Sequence, residues 1–126
     1  DSKAKWNSKD TRDPKVFWYA PGKHWVMVLN ERDGHSIYNS ADLKNWEYKS
    51  HVTGFWECPE LFELPVDGDK NHTKWVMYGA SGTYMLGSFD GQTFTPEAAN
   101  TIIIPEACML PRLIVTYLPV TDVAYK

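Results

Sequence analysis

The sequence is poor in cysteine, with two, Cys58 and Cys108, among 126 residues. A single pair at that separation supplies neither a structural zinc site nor a disulfide framework. It has no run of basic residues. Thirteen Lys and Arg against 16 Asp and Glu leave a formal net charge of −3, which argues against a nucleic-acid partner. No apolar stretch approaches the ~18 residues that span a bilayer. The best candidate, Ile102 to Ile104, stops at Pro105. The opening Asp-Ser-Lys-Ala-Lys has no apolar core of an export signal, so any such signal is expected to have been removed or never present. No window shows a 3.6-residue apolar period, which excludes a helical bundle. What is abundant is aromatic side chain: 6 Trp, 7 Tyr and 5 Phe, 14% of the chain. That content suits β-structure and carbohydrate contact.

The chain repeats itself. Arg12-Asp13-Pro14-Lys15-Val16-Phe17 is answered by Glu57-Cys58-Pro59-Glu60-Leu61-Phe62. Trp25-Val26-Met27 returns as Trp75-Val76-Met77, and Ser40-Ala41-Asp42-Leu43 with Trp46 returns as Ser88-Phe89-Asp90-Gly91 with Phe94. A period of about 40–50 residues built from short strands marks β-propeller blades. The strands predicted for the first unit are Val16 to Ala20, His24 to Leu29, Ser36 to Ser40 and Trp46 to Ser50. Those of the second are Glu60 to Leu64, Lys74 to Ala80, Thr83 to Phe89 and Gln92 to Thr95. Turn signals at Pro21-Gly22, Asp33-Gly34, Asp67-Gly68 and Asp90-Gly91 separate them, and Asp42 and Asp90 read as turn formers. The expected fold is all-β: two four-stranded antiparallel blades, roughly 12–51 and 57–97. Propellers close with four to eight blades, so two leave apolar faces uncovered. The chain is therefore expected to be a fragment, or a protomer that completes its packing as a homo-oligomer.

The repeat puts Arg12-Asp13 and Glu57-Cys58 at equivalent points, just before the first strand of each blade. In a propeller that strand is innermost, so both dipeptides should face the axis at one end. Two carboxylates converging there suit glycosidic cleavage, in which one protonates the leaving oxygen while others hold the sugar. Glu57 follows apolar Gly54-Phe55-Trp56, a setting that favours its protonated form, whereas Arg12 beside Asp13 favours an ionised carboxylate there. The competing reading is an ordinary Asp-Pro turn and a solvated Glu. The four histidines, His24, His35, His51 and His72, lack ligand spacing and read as surface residues. Asn71-His72-Thr73 fits a glycosylation sequon that reads as incidental.

Arg12-Asp13-Pro14-Lys15-Val16-Phe17-Trp18, Lys44-Asn45-Trp46-Glu47, Gly54-Phe55-Trp56-Glu57-Cys58-Pro59-Glu60-Leu61-Phe62-Glu63-Leu64-Pro65 and the stretch Gly87 to Glu97 closely resemble glycoside hydrolase family 32. That family holds the invertases, inulinases and levanases. The resemblance implies a five-bladed β-propeller followed by a β-sandwich, and hydrolysis of β-fructosides with retention. It makes Glu57 the general acid/base and Asp13 the transition-state stabiliser. Arg12 is then an active-site neighbour, and Cys58 the residue beside the acid that tunes it. Arg12, Asp13 and Cys58 together are the expected substrate-binding residues. It implies a fructan or sucrose-like carbohydrate as partner, no metal or organic cofactor, and an extracellular or periplasmic location.

The departures are specific. The family's nucleophile is an Asp within a Trp-Met-Asn-Asp-Pro-Asn-Gly segment, which has no counterpart in this sequence. Residues 1–97 are expected to form the partial propeller, and 98–126 an atypical tail outside the family pattern. From the third base of the Cys108 codon, synonymous choices let the tail read Tyr-Ala-Ala-Gln-Thr-Tyr-Ser-Asp-Ile-Pro-Ala-Ser-Asp-Gly-Arg-Arg-Ile-Gln in a shifted frame. That resembles the continuation of an intact family member, so a frameshift between residues 97 and 107 is expected. The apolar runs at Ile102 and Leu113 are expected to pack on a bare blade face or between chains.

Overall fold

A computed structural model describes residues 10–80 and 82–97, and the backbone of 102–103. Two antiparallel sheets follow one another along the chain. The first contains β1 (Arg12–Tyr19), β2 (His24–Glu31), β3 (Gly34–Ser40) and β4 (Glu47–Thr53), in that order. The second contains β5 (Glu60–Val66), β6 (Asp69–Tyr78), β7 (Thr83–Phe89) and β8 (Phe94–Pro96). A two-residue strand, β9 (Ile102–Ile103), pairs with β7 at Thr83 and Tyr84, beyond the stretch where β8 pairs. The outer edge of the second sheet is thus covered in two pieces. The packing and reading frame expected of the rest of 98–126 fall outside the described residues. No helix among the described residues is long and apolar enough to cross a membrane.

Local chemistry explains the connections. Asp67 and Gly68 both have positive φ, 52° and 74°, the geometry that Asp-Gly favours in a tight hairpin. The Asp42 carboxylate accepts the N–H groups of Lys44 at 2.9 Å and Asn45 at 2.8 Å. Asp90 does the same for Gln92 at 2.9 Å and Thr93 at 2.7 Å. Each aspartate folds its own loop, as the repeat suggests. Those N–H groups hold both carboxyls below the ordinary range.

The sheets share one core. Val26, Val28 and Ile37 from the first meet Leu61, Met77, Phe89 and Phe94 from the second, with Phe55 of the connection between them. An aromatic seam of Phe17, Tyr19, Trp75 and Phe89 continues it, with ring centroids 5.0 to 6.4 Å apart. Hydrogen bonds cross the same seam, from Ser50 Oγ to the Gln92 carbonyl at 2.6 Å and between His24 Nε2 and the Gly91 carbonyl at 3.0 Å. The two sheets therefore pack as one body. The opposite face of β1 stays open: Val16 and Trp18 are 40% and 47% exposed.

Two sequence expectations need correction. β1 starts at Arg12 rather than Val16, and β6 at Asp69 rather than Lys74, because the ladders run further toward the hairpin and the site. His35 is not a surface residue. It is fully buried and stacked on Phe55, with centroids 5.1 Å apart and ring planes 16° from parallel.

Candidate active site

Both strands that supply the site are reached through distorted backbone. β1 pairs with β2 at Arg12 and again at Lys15, with a shift of register between them, so Asp13 and Pro14 stand out of the ladder. Pro14 has no N–H to lose by leaving it. Asp13 lies in the left-handed region at φ 55°. In the second sheet, Glu57 at φ 53° and Cys58 at φ 43° do the same just before β5. The other non-glycine residues of positive φ that are described, Lys23, Arg32, Leu43 and Asp67, lie in turns. Left-handed conformations at non-glycine residues are unfavourable by on the order of 1 kcal/mol or more each, and persist where the surroundings over-determine them.

The surroundings here are the two segments themselves. Cys58 N–H donates to Asp13 Oδ2 at 3.1 Å, and the Cys58 thiol lies 3.8 Å from the same oxygen. The Arg12 guanidinium reaches Glu57 Oε1 at 3.4 Å and Asp10 Oδ1 at 3.3 Å. Arg12, Asp13, Glu57 and Cys58 therefore meet at one end of the sheet pair. The pairing differs from the sequence expectation in one respect. The guanidinium sits on Glu57, not on Asp13, whose charge is met by the Cys58 N–H. Nor does the apolar Gly54-Phe55-Trp56 run enclose the Glu57 carboxylate. Phe55 turns into the core at 1% exposure, Trp56 is 60% exposed, and the carboxylate is half exposed.

Beneath this surface lie residues that the motifs do not point to. Asn30, paired with Arg12 across β1 and β2, is buried between the sheets. Its Nδ2 donates to the Asp10 carbonyl at 2.9 Å, and its Oδ1 accepts the Glu57 N–H at 2.7 Å. His35 is its partner across β2 and β3. Gly79 leaves the space they need. A Cβ there would come within 2.8 Å of both the Glu57 carbonyl oxygen and the His35 ring. That carbonyl also accepts the Ala80 N–H at 3.1 Å. A signal for Asn30 and His35 exists in the sequence. Val26 and Val28 project inward, so Asn30 two residues on must as well, and His35 lies two residues from inward-facing Ile37.

The electrostatics are acidic and partly wet. Desolvation, then the Asp13 and Glu57 carboxylates, hold the Cys58 thiol above its ordinary value. Glu60 pairs with Lys15 at 3.0 Å beside the site, and burial with Glu60 nearby pushes Tyr78 up to about 12. Among the described residues no group of three or more His, Cys, Asp or Glu is arranged to hold a metal. Two carboxylates from neighbouring sheets, one against a guanidinium and one against a backbone N–H, can bracket a small polyhydroxylated molecule. One side can serve proton transfer and the other can accept hydroxyl hydrogen bonds.

Comparison with known proteins agrees over most of the chain. A family model described as the N-terminal domain of glycosyl hydrolases family 32 matches residues 1–105, reaching past residue 97, where the motif resemblance stops. The levanase of Bacillus subtilis is 50% identical over a match covering 71% of this chain and 16% of that enzyme. The extracellular exo-inulinase of Meyerozyma guilliermondii is 43% identical, covering 68% and 20% respectively. The β-fructofuranosidase of Schwanniomyces occidentalis complexed with fructosyl-erythritol superposes with a TM-score of 0.67 at 33% identity, covering 78% of this chain and 22% of that one. The chain spans about a fifth of the length of these relatives.

Proposed function

Since the chain belongs to glycosyl hydrolase family 32, whose N-terminal domain is a five-bladed β-propeller, we propose that it carries part of a retaining β-fructosidase site on two of those blades. Glu57 is the general acid/base, and Asp13 the stabiliser that holds fructosyl hydroxyls. Arg12 and Cys58 complete the contacts to the sugar. The observation that supports this reading is the convergence of Asp13 and Glu57 from adjacent blades, each on left-handed backbone, through the 3.1 Å bond from Cys58 N–H to Asp13. The substrate is a fructan or a sucrose-like fructoside. An extracellular setting, which the exo-inulinase relatives have by name, is part of the same proposal.

Retention requires a nucleophile and an acid/base with carboxyl groups ~5 to 5.5 Å apart. Neither Asp13 nor Glu57 holds the nucleophile's place in the family pattern, so these residues alone bind rather than turn over. Losing a covalent nucleophile removes several orders of magnitude of rate. The chain is therefore expected to release no fructose from sucrose, inulin or levan, yet to bind fructose weakly, with Asp13→Asn binding less. Turnover that disappears in Glu57→Gln would show a complete site assembled between chains. Absence of any fructose binding by titration would sink the half-site altogether.

A second reading is a catalytically inactive remnant that acts at most as a weak fructan-binding or self-associating module. The open β1 face with Val16 and Trp18 favours self-association through that face. Sedimentation should then give a species larger than a monomer, which Trp18→Lys dissociates. A monomer at all concentrations would count against it.

A further inference from the structure

We infer that Asn30 is the positioning residue for Glu57: its carboxamide, pinned between the Asp10 carbonyl and the Glu57 N–H, fixes the left-handed backbone from which the Glu57 carboxylate is presented to the sugar. The inference rests on the β-fructosidase reading for what the carboxylate does, and on geometry alone for what holds it.

Asn30 occupies an inward-facing position of β2, where Val26 and Val28 are fully buried. An apolar residue would continue that row into the core. An amide stands there instead, 4% exposed, and both of its ends are used. Its orientation is fixed chemically. The Glu57 N–H can only donate and the Asp10 carbonyl can only accept, so a flipped amide would set donor against donor and acceptor against acceptor. Replacing it by an apolar group leaves the part-buried Glu57 N–H and Asp10 carbonyl without the partner each has here.

The position of the bond matters as much as its existence. Asn30 belongs to the first blade and Glu57 to the approach to the second, so this one amide sets the height of one blade's carboxylate against the other. It also holds the segment at Asp10, whose carboxylate shares the Arg12 guanidinium with Glu57. Glu57 and Cys58 have adjacent left-handed conformations, at φ 53° and 43°, in a stretch outside any strand. The Asn30–Glu57 bond anchors the first of these, and the Cys58–Asp13 bond the second. Releasing the first lets the pair relax toward ordinary backbone, and Cys58 then leaves Asp13.

That movement can be read without a sugar, because Cys58 is an exposed free thiol. Partly desolvated and close to two carboxylates, it is a poor thiolate. Withdrawn from them, it gains about tenfold in thiolate for each unit by which its pKa falls, and less than that in alkylation rate, because a less basic thiolate is a weaker nucleophile. The experiment uses the full chain, with iodoacetamide at pH 8 and peptide mapping to separate Cys58 from Cys108. Hydrogen exchange at the Glu57 amide is followed in parallel. In the native chain that amide should be protected although it lies in no sheet. Asn30→Leu, close in size, should lose the protection, alkylate Cys58 about five- to tenfold faster, and bind fructose more weakly. Asn30→Asp keeps the acceptor for the Glu57 N–H but sets an oxygen against the Asp10 carbonyl, so it should keep more of the protection and a slower alkylation than Asn30→Leu. A native Glu57 amide that exchanges freely, or equal Cys58 rates in native and Asn30→Leu chains, overturns the inference whatever the sugar does. Local readouts that shift as expected in a chain that never binds fructose uphold Asn30's hold on Glu57 and sink the β-fructosidase reading instead.

Discussion

Phe55→Ala is expected to lower the free energy of unfolding by about 3–5 kcal/mol, a large fraction of a small domain's whole stability. Phe55 is 1% exposed and sits where both sheets contribute to the core, among Val26, Val28, Ile37, Leu61 and Met77. Its removal leaves a cavity walled by two sheets that are each held by their own ladders, so collapse around it is limited. The ring also stacks on His35. The loss therefore reaches the residues that lie under Glu57, two positions along the chain. Trp56 provides the internal control. It is the larger side chain, yet 60% exposed, so Trp56→Ala should change stability by no more than about 0.5 kcal/mol. Urea midpoints for the two variants measure the contrast directly. A Phe55→Ala loss below about 1 kcal/mol would mean that the connection between the blades is not part of the core.

The contrast between Phe55 and Trp56 marks where the sequence could be read and where it could not. The strand pattern was legible because short runs rich in β-branched and aromatic residues lie between turn signals, and because Asp42, Asp67-Gly68 and Asp90 each specify a loop by their own side-chain or backbone chemistry. The convergence of Asp13 and Glu57 was legible through the repeat, since equivalent positions in successive blades face the same end. The partner of Arg12 was not legible. Sequence adjacency suggested Asp13, but adjacent residues on extended chain point to opposite faces, and Asp13 is further turned by its left-handed backbone. The guanidinium consequently reaches across the seam to Glu57. Burial of His35 was obscured for a related reason. A histidine without ligand spacing reads as solvated, whereas its place two residues from Ile37 in a strand buried along its whole length puts it inside.

That buried histidine should make the protein sensitive to mild acid. Burial pushes the His35 imidazole down to about 4, the backbone of Glu57 opposes this, and the charge of His51 adds to it. Neither ring nitrogen has a hydrogen-bond partner among the described residues, so the nearby Glu57 backbone offsets only part of the cost of a proton placed there. An unfolded histidine titrates near 6.5, so between pH 6.5 and 4 the unfolded chain binds the proton that the folded chain refuses. The contribution of neutral His35 is complete above pH 6.5. It declines as the pH falls and is exhausted near pH 4, a loss of about 3 kcal/mol. Asp33, Asp42 and Asp90 act in a different window. Their carboxyls are held below the ordinary value of 3.8, so their stabilisation is present above it and is lost only in stronger acid. Denaturation midpoints measured from about pH 7.5 to 4.5 should therefore fall in the native chain and stay nearly level in His35→Gln. The variant's absolute stability is immaterial, because the comparison is of slopes. Equal slopes would mean that the ring takes up a proton in the folded state, with water or a rearranged Glu57 carbonyl receiving it.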